Sequence, residues 1–367
     1  MTLSDKNILL ISPEPWDHIH VSKHHYAIHM AEKGNRVFFL NPPKGQFETI
    51  ETEHRNLTSV NYKAGITGLR YFPKFIRKRI ELSQIKKIEK TCGVIFNVIW
   101  SFDNSVFFDF DAFPTNVLTI SHIVDLNQNF QMKRASGSAD VCIGVTDEIV
   151  EQHQKYNQNT FKVGHGLSLK TSSIDESIVL PGASSIKALY LGNLAMKHMD
   201  WEIILLSAKK MTHIDFIFIG PNGHELDDKI NNHHTYKAEF INLPNTFFLP
   251  KIPSEQIQSY LAKADVLLLA YQEKFHRDQT NAHKILEYLV SGKPIIATYT
   301  KEFANTTDLI IMNKANSQWI ENLHEVTQNL LQWSSHEMKE KRISFAMKNS
   351  YESKLIRIEG ILSSMGF

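Results

Sequence analysis

Asn281-Ala-His-Lys-Ile-Leu-Glu-Tyr-Leu-Val-Ser-Gly-Lys-Pro-Ile-Ile-Ala-Thr298 is the stretch whose reading decides the fold. Ile285, Leu286, Leu289 and Val290 recur at helical spacing, which predicts one amphipathic helix over 281–291. Gly292 stands where such a helix stops, and Pro294 opens a buried run, 294–297, with the pattern of a parallel strand. His283, Lys284 and Glu287 are the polar residues of the first two turns. A helix that starts at the carboxyl edge of a parallel sheet presents free N–H groups and the positive end of its dipole, and phosphates bind there. Glu287, further along, can accept hydrogen bonds from ribose hydroxyls. An ordinary solvated helix face carrying one lysine and one glutamate is the competing reading.

The residues on either side repeat the alternation of strand and helix. Ile186–Leu191 reads as a strand that runs into Gly192, Asn193 and Lys197. Further buried strands are expected at 215–220, 245–249 and 265–271, the last followed by a loop over 272–280. Residues 315–333 and 335–362 are helical in period. Upstream, 168–185 is rich in Ser, Thr, Gly and Pro and fits an interdomain linker. Before it, strands are expected at 7–12, 36–40, 94–100, 116–121 and 141–145, with helices over 22–32 and 146–156. The first strand, helix and second strand form a βαβ unit whose loop lacks Gly-x-Gly-x-x-Gly, so a dinucleotide fingerprint is absent there.

A chain of 367 residues is long for one core, and two α/β domains follow. The expected boundaries are 1–167 and 186–350, joined by the linker 168–185, with the last helix, about 351–367, packing back on the first domain. A net charge of +1 gives no general pull toward nucleic acid. Only Cys92 and Cys142 occur, so a disulfide framework is not expected and a reducing cytoplasm is. The apolar run at 8–11 is too short for a signal peptide or a membrane span.

Lys284, Glu287, Tyr288, Gly292, Lys293 and Pro294 match the Lys-x-x-Glu-Tyr-x-x-x-Gly-Lys-Pro-like string of retaining glycosyltransferases of the GT-B fold, family 4 type, and the chain resembles that family. The likeness is strong in the second half and weak in the first, where Trp16, Ser22 to His25 and Asn41-Pro-Pro43 carry it. His165 replaces the asparagine of the Asn-Gly-containing turn that closes the first domain in relatives. The resemblance implies two doubly wound, Rossmann-like domains facing a cleft, with the donor on the second. It implies transfer from a nucleotide-sugar, as co-substrate, to a glycan or lipid-linked acceptor, with no metal and no other cofactor, in surface-polysaccharide synthesis. In that light Gly192, Asn193, Gln279, Asn281, His283 and Glu287 hold the donor, while Lys197 and Lys284 neutralise the departing diphosphate. Gln279 stands where many relatives carry a first glutamate. His122 is a candidate to face the transferred sugar, with a satisfied structural histidine as the alternative, and Trp16, His18 and His24 would lie on the acceptor side. A nucleotide-sugar epimerase of the same fold and a non-catalytic nucleotide- or sugar-binding protein are the alternatives.

Three features invite other readings. The histidines at 18, 20, 24, 25 and 29 contain helical i,i+4 pairs, but no His-Glu-x-x-His or cysteine partner supports zinc, and sugar-lining or surface roles are expected. Asp109-Phe-Asp111 has the form of a Mn²⁺ site, and a turn explains it as well. Residues 68–90 hold eight basic side chains against two acidic ones, interleaved with aromatic and isoleucine residues. That stretch is either a helix with a solvated face or a surface for anionic lipid, which would place the protein at the inner face of the membrane.

Overall fold

The computed structural model describes residues 3–126, 130–168, 173–221, 233–275, 284–313 and 315–367. The chain divides into two compact units, Met1–Ser168 with Tyr351–Phe367, and Leu169–Ser350.

The first unit contains β1 (Asn7–Ile11), α1 (Ser22–Glu32), β2 (Arg36–Leu40), β3 (Glu48–Glu51), β4 (Leu57–Asn61), α2 (Lys74–Cys92), β5 (Val98–Ser101), β6 (Leu118–Ile123), α3 (Met132–Ser138), β7 (Val141–Gly144), α4 (Asp147–Gln154) and β8 (Thr160–Lys162). Its sheet has the order β3-β4-β2-β1-β5-β6-β7-β8. Among the described residues only β3 runs antiparallel in it. The central strands are apolar on both sides because helices cover both faces. Leu10, Phe39, Trp100 and Ile120 fall in one core, and Leu9, Phe38, Ile99 and Phe107 in the other.

The second unit contains β9 (Ile186–Leu191), α5 (Trp201–Lys210), β10 (Ile214–Ile219), α6 (His233–Ile241), β11 (Thr246–Leu249), α7 (Ile257–Lys263), β12 (Val266–Leu269), α8 (Lys284–Val290), β13 (Ile295–Thr298), β14 (Ile311–Asn313), α9 (Trp319–Gln328), α10 (Leu330–Trp333) and α11 (His336–Met347). Its sheet is wholly parallel, in the order β11-β10-β9-β12-β13-β14. The final helix, α12 (Tyr351–Ser364), belongs to the first unit, where Tyr351, Leu355, Ile358 and Leu362 join α1 in the core. Gly166 makes room for it: a Cβ there would stand inside the Tyr351 ring.

Strand order reverses between β1 and β5 in one sheet and between β9 and β12 in the other. At such switch points the loops leave in opposite directions and open a crevice beyond the carboxyl ends of the strands. The site is sought there.

Several expectations need revision. The helix read over 281–291 is described from Lys284 to Val290; residues 281–283 lie outside the described residues. The basic stretch 68–90 is a short turn followed by α2, whose first turn Pro73 precedes. Arg77 does not belong to its charged surface. It is 7% exposed and grips Asp109 with both Nε and Nη2, at 2.6 and 2.9 Å. Asp111 pairs with Lys74 at 2.8 Å and Lys78 at 3.5 Å, so the Asp-x-Asp pair is spent on lysine and arginine. Among the described residues no group of three or more His, Cys, Asp or Glu is placed to hold a metal, and no helix is long and apolar enough to cross a membrane.

Candidate active site

The site in the second unit begins with the backbone at the end of β9. Gly192 N–H donates to the Ile219 carbonyl at 2.8 Å and Leu194 N–H to that of Pro221 at 2.9 Å, so the ends of β9 and β10 run side by side. Gly220, at φ +148°, permits this: a Cβ on it would collide with the carbonyl of Gly192, which is backbone and cannot turn aside. On its other side Gly192 meets the end of the Lys284 side chain, which a Cβ at 192 would displace.

Lys284 opens the described part of α8. Its Nζ donates to the hydroxyl of Tyr190 at 2.8 Å and lies 4.7 Å from the centre of that ring. Tyr190 is fully buried, and burial drives its hydroxyl pKa up, so it keeps its proton and donates it to the Asn193 carbonyl at 3.4 Å. Tyr288, also fully buried, accepts the Leu191 N–H at 2.9 Å. Two buried tyrosines, one on β9 and one on α8, thus fix the lysine and the glycine turn against each other. Tyr271, at the exit of β12, packs close by; burial pushes its hydroxyl up to about 12, with Lys284 opposing. The sequence reading used Lys284, Gly192 and Asn193 but missed Tyr190 as the residue that aims the lysine. A tyrosine ending a buried strand was the available signal.

Lys197 lies on the loop after β9. That loop is stitched to the exit of β12 by an antiparallel bridge between Met199 and Tyr271 and by Gln272 N–H donating to the His198 carbonyl at 2.9 Å. Lys197 itself is exposed, with Nζ 5.8 Å from the Phe275 ring. Both lysines therefore belong to the carboxyl edge, but only Lys284 is held by a hydrogen bond to a buried side chain. Glu287 is half-buried, one turn along α8 from Lys284; Ile285, Leu286, Tyr288 and Leu289 fill the opposite face. Gln279, Asn281 and His283 lie outside the described residues.

In the first unit the expected acceptor-side residues fall around the loop between β1 and α1. Trp16 is half-buried, its ring centre 4.9 Å from that of His20, 5.5 Å from His24 and 5.9 Å from His54. His18 is exposed. His24 is buried: Val21 N–H donates to its Nδ1 at 3.2 Å, and its Nε2 donates to the Pro15 carbonyl at 3.0 Å. Burial lowers its pKa to about 4, so it is a neutral clasp on the loop, not a group aimed at a ligand. Lys23, 2% exposed and ion-paired with Glu14, is the residue that sequence reasoning passed over at this edge. Nothing in the spacing of Glu14 and Lys23 announces the pair.

His122 takes one of its two readings. It is fully buried on β6 among Tyr26, Trp100 and Phe102, whose ring centres lie 5.2, 6.0 and 4.5 Å away. Trp100 Nε1–H donates to its Nδ1 at 3.2 Å, and burial lowers its pKa to about 3. A neutral imidazole inside an aromatic core fits the structural of the two readings, although His122 sits one residue from the end of β6.

Residues 185–329 match the family described as "Glycosyl transferases group 1", a span that contains Gly192, Lys197, Lys284 and Glu287. No curated protein matches the chain. Solved structures resemble it along nearly its whole length. Sucrose-phosphate synthase from Thermosynechococcus elongatus is 14% identical with a TM-score of 0.71, covering 98% of this chain and 99% of that one. A UDP-forming α,α-trehalose-phosphate synthase from Burkholderia xenovorans is 9% identical with a TM-score of 0.69 and full coverage of both chains, 100% each. HepE from Anabaena, in complex with UDP and glucose, is 12% identical with a TM-score of 0.67, covering 98% of this chain and 100% of that one. The two doubly wound units are those of the GT-B fold.

Proposed function

We propose that this protein is a glycosyltransferase that moves a sugar from a uridine diphosphate sugar to a glycan or lipid-linked acceptor, with retention and without a metal ion. The observation that carries the reading is Lys284, held by Tyr190 against the backbone of Gly192 at the switch point of the second sheet, inside the matched span. As the glycosidic bond breaks, charge builds on the departing diphosphate. A cation fixed beforehand stabilises that charge more in the transition state than in the ground state. Glu287 would hold the ribose, with Gln279, Asn281 and His283 completing the donor site, and Lys197 would add a second, looser charge. The uridine assignment is supported by the relative named in complex with UDP and glucose. The acceptor would be taken by the first unit near Trp16 and the Glu14–Lys23 pair. Tyr71 and Phe75, 78% and 66% exposed beside Arg70 and Lys74, support a peripheral station on anionic lipid at the cytoplasmic face, which suits surface-polysaccharide synthesis.

The test is incubation with UDP-glucose, a lipid-linked acceptor and chelator, with the product anomer read by NMR. Expected is a new α-glycosidic bond and released UDP. Binding of UDP without turnover over a broad acceptor panel would instead identify a binding protein. A disaccharide phosphate as product, the class named for two of the structural relatives, would replace the surface-polysaccharide part of the proposal.

A further inference from the structure

The first unit holds a cavity of about 510 Å³ that is not lined by Trp16, His18, His24 or His122. Its wall is made by the segments that leave β2, β4, β5 and β6, at Pro43, Tyr62, Phe107 and Gln131, so it too opens at the carboxyl edge of the sheet. The remaining side is α2, through Ile80, Glu81 and Gln84. The size falls within the range of small-molecule sites.

The buried polar groups in this wall are already committed to backbone. The Glu81 carboxylate accepts N–H groups of Phe108 and Asp109 at 3.3 and 3.0 Å, and Gln84 Nε2 donates to the Lys63 carbonyl. Burial raises the Glu81 pKa to about 8, with Asp109 adding to the rise, so the wall carries little charge at neutral pH. What the cavity offers is apolar surface. Its rim is apolar as well: Ile66, Tyr71 and Phe130 are 54%, 78% and 56% exposed around one opening. The rim also holds the guanidinium of Arg70, with that of Arg134 next to it. Arg70 lies 4.9 Å from the Tyr71 ring, and Arg134 Nη1 donates to the Arg70 carbonyl at 2.9 Å and to Gln131 at 3.0 Å. Among the described residues neither has a carboxylate within ion-pair distance, whereas Lys74, Arg77 and Lys78 nearby all do.

We infer that this cavity binds an amphiphile with a single phosphate head, its apolar chain inside and its phosphate on Arg70 and Arg134. Its part in catalysis, as the seat of a lipid phosphate acceptor, rests on the transferase reading above. Arginine suits a phosphate through its planar fork, and a wall that is mostly apolar suits an alkyl chain.

Calorimetry of the full chain with straight-chain alkyl phosphates, below their micelle concentrations, tests this. Each added methylene should tighten binding about fourfold until the cavity is full, since about 0.8 kcal/mol accompanies each one buried. Inorganic phosphate should not displace decyl phosphate. Gly65 lines the cavity, and a side chain there meets nothing within 4 Å. Gly65→Trp should therefore fold normally, with an unchanged melting temperature, and abolish the chain-length dependence. Arg70→Ala should weaken every chain length about fivefold. Binding independent of chain length, displacement by inorganic phosphate, or wild-type affinity in folded Gly65→Trp would each overturn the assignment. UDP binding is measured alongside. Alkyl phosphate binding with no UDP binding breaks the transferase reading and leaves the cavity assigned; the converse breaks the cavity alone.

Discussion

The two sheets share a strand order around their switch points but furnish the carboxyl edge with different chemistry. In the second unit the edge is made of glycine backbone, Gly192 beside Gly220, with one lysine steered by a buried tyrosine. In the first it is made of bulk, with Trp16 among three imidazoles, a buried Lys23 paired with half-buried Glu14, and a mostly apolar cavity beyond. On the transferase reading a diphosphate needs close approach of backbone, which the glycines allow, and a charge that stays put, which Lys284 supplies. An acceptor of mixed polarity needs shaped walls, which only large side chains supply. The same topology thus makes two crevices, and side-chain size decides what each admits.

The buried histidines offer the largest way to separate the two units. His24, His122 and His153 all belong to the first, and burial lowers their pKa values to about 4, 3 and 4. A base whose folded pKa lies below its unfolded value costs stability when the unfolded chain gains the proton. Their contribution is complete above about pH 6.5 and is lost as pH falls toward 3–4, by roughly 3–5 kcal/mol for each. Glu81 works the other way: its raised pKa, about 8, favours the folded state at low pH and costs stability as pH rises from 4.5 through 8. Hydrogen exchange during acidification should show the first unit losing protection before the second. His122→Phe should move that loss to lower pH. Simultaneous loss in both units would break the contrast.

The steered lysine comes next. Lys284→Ala should lower turnover by about 10²–10³-fold, as for removal of one preorganised transition-state charge, with a smaller change in donor affinity. Lys197→Ala, which removes an exposed and loosely held cation, should cost less than about tenfold. Equal effects of the two in kinetic assays would show that Tyr190 confers nothing on Lys284.

Backbone proximity is tested by Gly220→Ala. The added methyl meets the Gly192 carbonyl, and a loss of about 1–3 kcal/mol in urea unfolding is expected. Gly65→Ala in the first unit, where there is open space, should change stability by less than about 0.5 kcal/mol. A small effect on catalysis is expected of Tyr190→Phe. It deletes the hydroxyl that Lys284 and the Asn193 carbonyl share and should cost about 0.5–1.5 kcal/mol of transition-state stabilisation, read as a fall in kcat/KM of about tenfold or less.

Sequence alone determined the central strands, because parallel strands covered on both faces must be apolar throughout: Leu189 to Leu191, Phe216 to Ile219 and Ile295 to Ala297 read without ambiguity, whereas β3, β4, β8 and β14, short and at or near the sheet edges, were not legible. It also placed Gly192, Lys284 and Glu287 at a carboxyl edge, since the alternation of strand and helix fixes which loops gather there. What it did not determine is which charged or aromatic side chain turns inward. Lys284 meets Tyr190 across 94 residues, and Arg77 meets Asp109 across 32. Periodicity reports burial of a face, not the identity of a partner brought in by topology. The two readings of His122 therefore stayed open and Arg77 read as a surface charge, until the packing of β6 among rings and of α2 against Asp109 gave each its surroundings. The cavity beside α2 has the same origin: its walls come from four loops far apart in the chain, and no local pattern encodes the empty space between them.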